Sequence, residues 1–259
     1  MATWKNRRTK IYGATLFVAI FYFTIPSFSW TITSDFEQGQ EGLGAYGVSG
    51  FHGAGSRTLY STERASSGQM SAKMKWVKGS TGWAECHGRY TYPEPLREGD
   101  EIWLRGYFYF QSPWSWRCAP RVKILRVHVR GMKGEHKGYL SVLASNGGII
   151  TLSNEVDSYE PTLGVYFNLD RWQCVEMYIK FSSTKPIFRI WKDGILIAED
   201  KRHRTLRISE DLADFSYIMT YWNGGVSQDQ IQFVDDFKIT NEKPSNYDKH
   251  GNPMIGCSP

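Results

Sequence analysis

The sequence predicts an all-β chain folded as a two-sheet antiparallel sandwich of the jelly-roll type. Three observations predict it: about eleven short stretches alternate apolar and polar side chains, Gly, Pro, Asn and Asp fill the gaps between them, and helical periodicity is almost absent.

Taken in order, residues 1–29 stand apart from the rest. Lys5, Arg7, Arg8 and Lys10 precede an apolar run from Ile11 to Ile25, and Pro26-Ser27-Phe28-Ser29 offers small residues where a signal peptidase reads. Two readings stay open, a secretory signal peptide cut after Ser29 or an uncleaved N-terminal anchor; the run is about fifteen residues against the ~20 that cross a bilayer. Either puts the folded part outside the cytoplasm, secreted, periplasmic or extracellular, and a membrane is met only through that uncleaved segment.

Residues 30–240 read as one sandwich domain, which suits their number better than two domains do. Thr31 to Glu37 is a first strand. Gly39 to Gly55 holds seven glycines in seventeen residues and reads as loop. Strands are expected over Met70–Val77, Trp83–Tyr92, Ile102–Phe110, Arg121–Val129, Tyr139–Ser145 and Ile149–Asn154. Others follow over Cys174–Ser182, Ile187–Lys192, Ile195–Glu199, Tyr217–Trp222 and Ile231–Thr240. Ser209 to Phe215 reads as a short helix capped by Ser209. The tail, 241–259, is polar and turn-rich and belongs on the surface.

Composition narrows the function. Aromatic residues are 15% of the chain, with ten Trp, fifteen Tyr and fourteen Phe, more than an interior needs, which favours a ligand face built from rings. A net charge of +5 favours an anionic partner. Nucleic acid is not expected, because the basic residues are spread through strands and no nucleic-acid motif is present. Four cysteines, Cys86, Cys118, Cys174 and Cys257, form two bridges in one of three pairings outside the cell. Cys257 sits in the tail, so its bridge ties the tail to the domain, with Cys86 and Cys118 as the remaining pair.

Strand alternation sorts polar and aromatic residues onto shared faces. Trp103, Arg105, Tyr107 and Tyr109 share one face of their strand, opposite Ile102, Leu104, Phe108 and Phe110. Matching faces carry Trp83, Glu85, His87 and Arg89; Glu176, Tyr178 and Lys180; and Arg189 with Trp191. Brought together they make a groove for an acidic polysaccharide and supply the roles of β-elimination from a uronate. Arg105 or Arg89 neutralises the carboxylate, His87 or Tyr107 takes the proton beside it, and Tyr178, Tyr107 or Tyr109 protonates the leaving oxygen. Lys123 reaches the same groove if a bulge interrupts its strand, where Arg121 and Lys123 lie opposite in parity to Arg126, His128 and Arg130. Glu85 and Glu176 keep a glycoside hydrolase open. Trp114 and Trp116 either stack on sugars at the rim or plug one end of the sandwich.

No cofactor is required. Asp35 and Glu37 on the first strand and Asp235-Asp236 on the last, strands expected to pair, would hold a structural calcium ion, with Asp35, Glu37 and Asp236 as ligands.

The order of motifs resembles the concanavalin A-like jelly-roll polysaccharide lyases. Arg105-Gly-Tyr107-Phe-Tyr-Phe110, then Trp114 and Trp116, then Lys123-Ile-Leu are similar to one block of that family. Arg171-Trp172 through Lys180, Trp191-Lys-Asp193-Gly194, Tyr221-Trp222-Asn223-Gly224-Gly225 and Phe233 to Phe237 are similar to others, together about half the chain. Around Lys123 the chain lacks the glycines and proline those lyases often carry. The resemblance implies the sandwich fold and, less firmly, a lyase-like reaction. With the leader and the strand faces read above, the expected protein is a secreted monomer in which Arg89, Trp103, Tyr109, Lys123, Lys180, Arg189, Trp191 and Asn223 bind substrate, while Arg105, Tyr107, His87 and Tyr178 act in catalysis. Two other readings stay open, a non-catalytic carbohydrate-binding jelly roll and a structural cell-surface domain.

Overall fold

The computed structural model describes residues 28–117 and 121–257. The signal-peptide reading of residues 1–29 therefore falls almost wholly outside the described residues, and so does Cys118. Two antiparallel sheets form the jelly-roll sandwich. One runs β13 (Ile195–Asp200), β12 (Ile187–Lys192), β11 (Trp172–Lys180), β6 (Glu101–Gln111), β15 (Gln230–Thr240), β4 (Ser71–Trp76), β3 (Thr58–Ser61), with β1 (Thr31–Ser34) also on β15. The other runs β10 (Thr162–Tyr166), β9 (Ile149–Asn154), β8 (His136–Ala144), β7 (Val122–Arg130), β14 (Leu212–Trp222), β5 (Gly88–Leu96), β2 (Gly53–Ala54). A small hairpin, β16 (Asn246–Tyr247) with β17 (Pro253–Met254), lies in the tail.

Period-two alternation builds the core. Ile102, Leu104, Phe108 and Phe110 of β6 and Val175, Met177 and Ile179 of β11 face Leu125, Val127 and Val129 of β7 and Leu140 and Val142 of β8, all fully buried. Removing one such side chain to Ala costs about 2–5 kcal/mol through lost transfer energy and the cavity left behind. The first and last long strands pair as expected, Thr31 opposite Thr240.

Two local expectations change and one open alternative closes. No helix forms at Ser209–Phe215: Asp211 turns its carboxylate back to accept the N–H groups of Arg207 and Ile208, a turn that feeds β14 from Leu212. Trp83 to His87 is a turn and not strand, because Gly82 and Ala84 sit at φ 73° and 63° and the N–H groups of Glu85 and Cys86 both return to the Gly82 carbonyl. Gly55 lets that turn approach, since a Cβ there would lie 2.3 Å from the Glu85 carbonyl. Trp114 and Trp116 are buried against Phe110, Phe167 and Trp222, so they plug the sandwich end.

The tail is bridged to the domain through Cys174–Cys257. Cys86 is a buried free thiol whose Sγ donates to the Lys75 carbonyl, and it forms no bridge to Cys118.

Candidate functional site

The structure divides the residues expected to share one groove. Arg105, Tyr107, Tyr109 and Trp103 on β6, Tyr178 and Lys180 on β11, and Arg189 and Trp191 on β12 belong to the eight-stranded sheet, where Trp103 pairs with Tyr178 and Tyr178 with Arg189. His87, Arg89, Lys123 and Asn223 belong to the seven-stranded sheet or its loops. Alternation fixes which residues share a face of one strand; it leaves open which sheet the strand joins.

The first group is covered by the tail. Glu176 accepts the N–H groups of Ile255 and Gly256 at 2.5 and 3.0 Å, and Arg105 donates to the Gly256 carbonyl at 3.0 Å. The indoles of Trp103 and Trp191 donate to the Pro253 carbonyl and the Asp248 carboxylate at 3.0 and 2.9 Å. Trp103 and Trp191 are fully buried and Tyr178 nearly so, which leaves no open sugar face there. Tyr107 and Tyr109 are buried as well, with Tyr109 between Phe233 and Trp172, and Arg189 is tied to Glu199 at 2.6 Å. Lys180, at the end of β11, pairs in register with Glu101. Burial lifts the Glu176 carboxyl to about 7 in spite of its hydrogen bonds.

The open face is that of the seven-stranded sheet. A register shift between Lys123 and Leu125 turns Lys123 to the side of Arg126, His128 and Arg130, as the bulge expectation required. A second irregularity, at Met219 with φ 49°, buries that methionine and leaves Tyr217 and Tyr221 both outward. One row across the sheet therefore reads Arg89, Tyr217, Arg126, Ser141, Ser153, and the next places Tyr221 beside Lys123.

Two clefts open on this face. In one, of about 100 Å³, Trp83, His87, Tyr217 and Thr220 line the walls, with the His87 and Tyr217 rings edge-to-face at 5.9 Å. Trp83 is 58% exposed and lies within 6.5 Å of Tyr217 and 6.3 Å of Tyr221, a ring platform at the mouth. The Arg89 guanidinium sits 4.7 Å over Phe215 and 5.9 Å from the Tyr217 ring, with no acidic partner among the described residues. Burial, then Arg89, holds the His87 imidazole below its usual pKa, so His87 is neutral near pH 7.

In the second cleft, of about 330 Å³, Lys123 donates to the Asn223 side-chain carbonyl and lies 4.6 Å over Tyr221. Burial first, then Arg126, brings the Lys123 ammonium down to about 8. Arg126, between Tyr217 and Ser141 in the row, is bonded to Glu155 at 2.9 Å and stacked 3.5 Å over Tyr139. Beyond it, His128 meets Asp214 at 2.9 Å and His136 at 3.1 Å, and Arg130 bonds the same Asp214 at 2.6 Å.

The sequence singled out His87, Arg89, Lys123 and Asn223 from this face but missed Tyr217 and Tyr221 as site residues. The signal was present: their strand also alternates, and Tyr221 stands two residues before Asn223.

The acidic residues near the chain ends serve the loop at 66–70. Glu37 accepts the N–H groups of Gln69 and Met70, Asp235 that of Ser66, and Asp236 the Ser67 hydroxyl, while Asp35 accepts the Glu37 N–H. Among the described residues no three His, Cys, Asp or Glu side chains are grouped as metal ligands.

No known protein-family model matches the sequence. No curated protein matches it by sequence. Solved structures do match. An endo-β-1,4-glucuronan lyase from the fungus Trichoderma reesei superposes with a TM-score of 0.59 at 16% identity, over 77% of this chain and 95% of that one. The alginate lyase Aly36B gives 0.56 at 14% identity, over 81% and 96%. A marine alginate lyase from Aplysia kurodai gives 0.52 at 12% identity, over 71% and 86%. Variants of Aly36B with a lysine replaced, together with a methionine or a tyrosine, hold an alginate trisaccharide or tetrasaccharide. What these likenesses establish is the fold: this chain is built on the jelly-roll sandwich found in uronate-polysaccharide lyases.

Proposed function

We propose that the protein binds an acidic, uronate-containing polysaccharide on the open face of the seven-stranded sheet and cleaves it by β-elimination. One observation carries the reading: the neutral imidazole of His87 and the ring of Tyr217 line one cleft under an exposed tryptophan, and the Arg89 guanidinium, with no acidic partner among the described residues, lies 5.9 Å from that Tyr217 ring. Arg89 neutralises the uronate carboxylate, which acidifies the adjacent ring C–H. His87 takes that proton, and the electron pair forms a ring double bond as the glycosidic C–O bond breaks. Tyr217 gives its proton to the departing oxygen. Lys123 with Asn223 holds a second carboxylate, and Trp83 stacks on a sugar ring. The glucuronan and alginate lyases that share the fold support the substrate class, and the lysine and tyrosine replaced in sugar-bound Aly36B are residue types that also meet here, in Lys123 and Tyr221. The disulfide Cys174–Cys257 supports a place outside the cytoplasm.

Unsaturated products absorb in the near ultraviolet, so the test is absorbance over time with glucuronan and alginate as substrates. A rise that Tyr217→Phe and His87→Ala each abolish is expected. Retention of these polymers without any rise overturns the elimination and makes the protein a carbohydrate-binding module.

A further inference from the structure

The ion pairs on the open face say how the uronates of a substrate are spaced, an inference that rests on the uronate-binding reading. Three arginines on or beside β7 are each cancelled by a carboxylate: Arg121 by Glu160 at 2.6 Å, Arg126 by Glu155 at 2.9 Å and Arg130 by Asp214 at 2.6 Å. Two cations there have no such ion pair among the described residues. Arg89 has only aromatic rings beneath it, and Lys123 is held by the Asn223 amide. They lie on β5 and β7, with β14 and its two outward tyrosines between them.

A chain with a carboxylate on every sugar would bring its flanking charges onto these pairs, where no arginine is free to receive them and an acid is already present. Like charges brought together at a partly desolvated surface are unfavourable, and such repulsion is a source of specificity. In the cleft that Lys123 shares with Asn223, the rest of the lining, Leu143, Ser153, Glu155 and the Arg121–Glu160 pair, offers no second unpaired cation and suits an uncharged, hydroxyl-rich ring beside the one carboxylate that Lys123 takes.

We propose that the face takes a heteropolysaccharide in which uronates are separated by neutral sugars, in preference to a homopolymer of uronates, with Glu155 and Glu160 as the specificity-determining residues. The same acids would meet a sulfated chain with still more repulsion.

The test compares retention by affinity electrophoresis at neutral pH in gels containing glucuronan, a glucuronate homopolymer, or hyaluronan, in which glucuronate alternates with a neutral N-acetylhexosamine. Absorbance is followed separately. Stronger retention by hyaluronan is expected, and Glu160→Gln should shift the preference toward glucuronan by about two- to fivefold, the range an exposed ion pair is worth. Equal or stronger retention by glucuronan in the unaltered protein, or an unchanged ratio in Glu160→Gln, overturns the proposal. Preferential retention of hyaluronan with no absorbance change from either polymer sustains it while the cleavage reading fails. Retention of neither polymer overturns both.

Discussion

At the scale of single residues, the cleft makes commitments about protons. His87 is held below the usual imidazole value by burial and by Arg89, so the base is lost only as the solution falls through a pH below about 6.5. The acid limb of kcat/KM should lie there, and Arg89→Gln, which removes one of the two causes, should move the limb upward in pH while also raising KM. Lys123 is protonated below about 8 and neutral above it, so its hold on a carboxylate fades there and KM should rise on the alkaline side. Tyr217→Phe keeps the ring and removes the proton donor. Its kcat should fall about 10²- to 10⁴-fold, with polymer retention on gels nearly unchanged. Trp83→Ala should show the reverse, weaker retention with kcat at saturation nearly intact, because a stacking platform binds ground and transition states alike.

At the scale of elements, the tail is the part whose contribution can be isolated. Cys174 and Cys257 are 83 residues apart in sequence, and closing a loop of that length removes much of the freedom of the unfolded chain. Cys257→Ser should cost about 2–4 kcal/mol in denaturant unfolding and leave turnover at room temperature unchanged, since the bridge belongs to the other sheet. Glu176 beneath the tail has its native carboxyl raised to about 7, so between about 4.5 and 7 the native state binds more protons than the unfolded chain, and stability falls as pH rises through that window. Asp235, also raised to about 7, acts with the same sign, and the lowered histidines His52, His87 and His136 act with the opposite one. Subtracting the pH profile of Glu176→Gln from that of the unaltered protein should recover the falling component. The two faces explain what was legible in the sequence. Alternation placed Trp103, Arg105 and Tyr107 on one side of β6, and the change of parity before Arg126 left room for the bulge that is found there. It gave no sign that β6 and β11 would lie in one sheet and β5, β7 and β14 in the other, because hydrogen-bond partners between distant strands leave no mark on the period of either. The cue that separated the faces was Cys257: its partner Cys174 shares a side of β11 with Glu176 and Tyr178, so the bridge that ties down the tail also roofs that side.

At the scale of the whole molecule, the sandwich divides its labour between its two outer surfaces. One surface is sealed by the chain's own last described residues, and the other keeps its cations and phenols open. Both look alike as sequence, rich in Trp, Arg and Tyr, and only the assembled sheets tell them apart. The turn that carries Trp83 also carries Cys86, whose sulfur is fully buried against the Lys75 carbonyl and whose ionisation is pushed up to about 12 by burial. A thiol so placed cannot meet an alkylating reagent while the turn is closed. Its labelling rate therefore clocks how often that turn lifts away, and an oligosaccharide that presses on the neighbouring indole should slow the clock, reporting occupancy without any bond being cut.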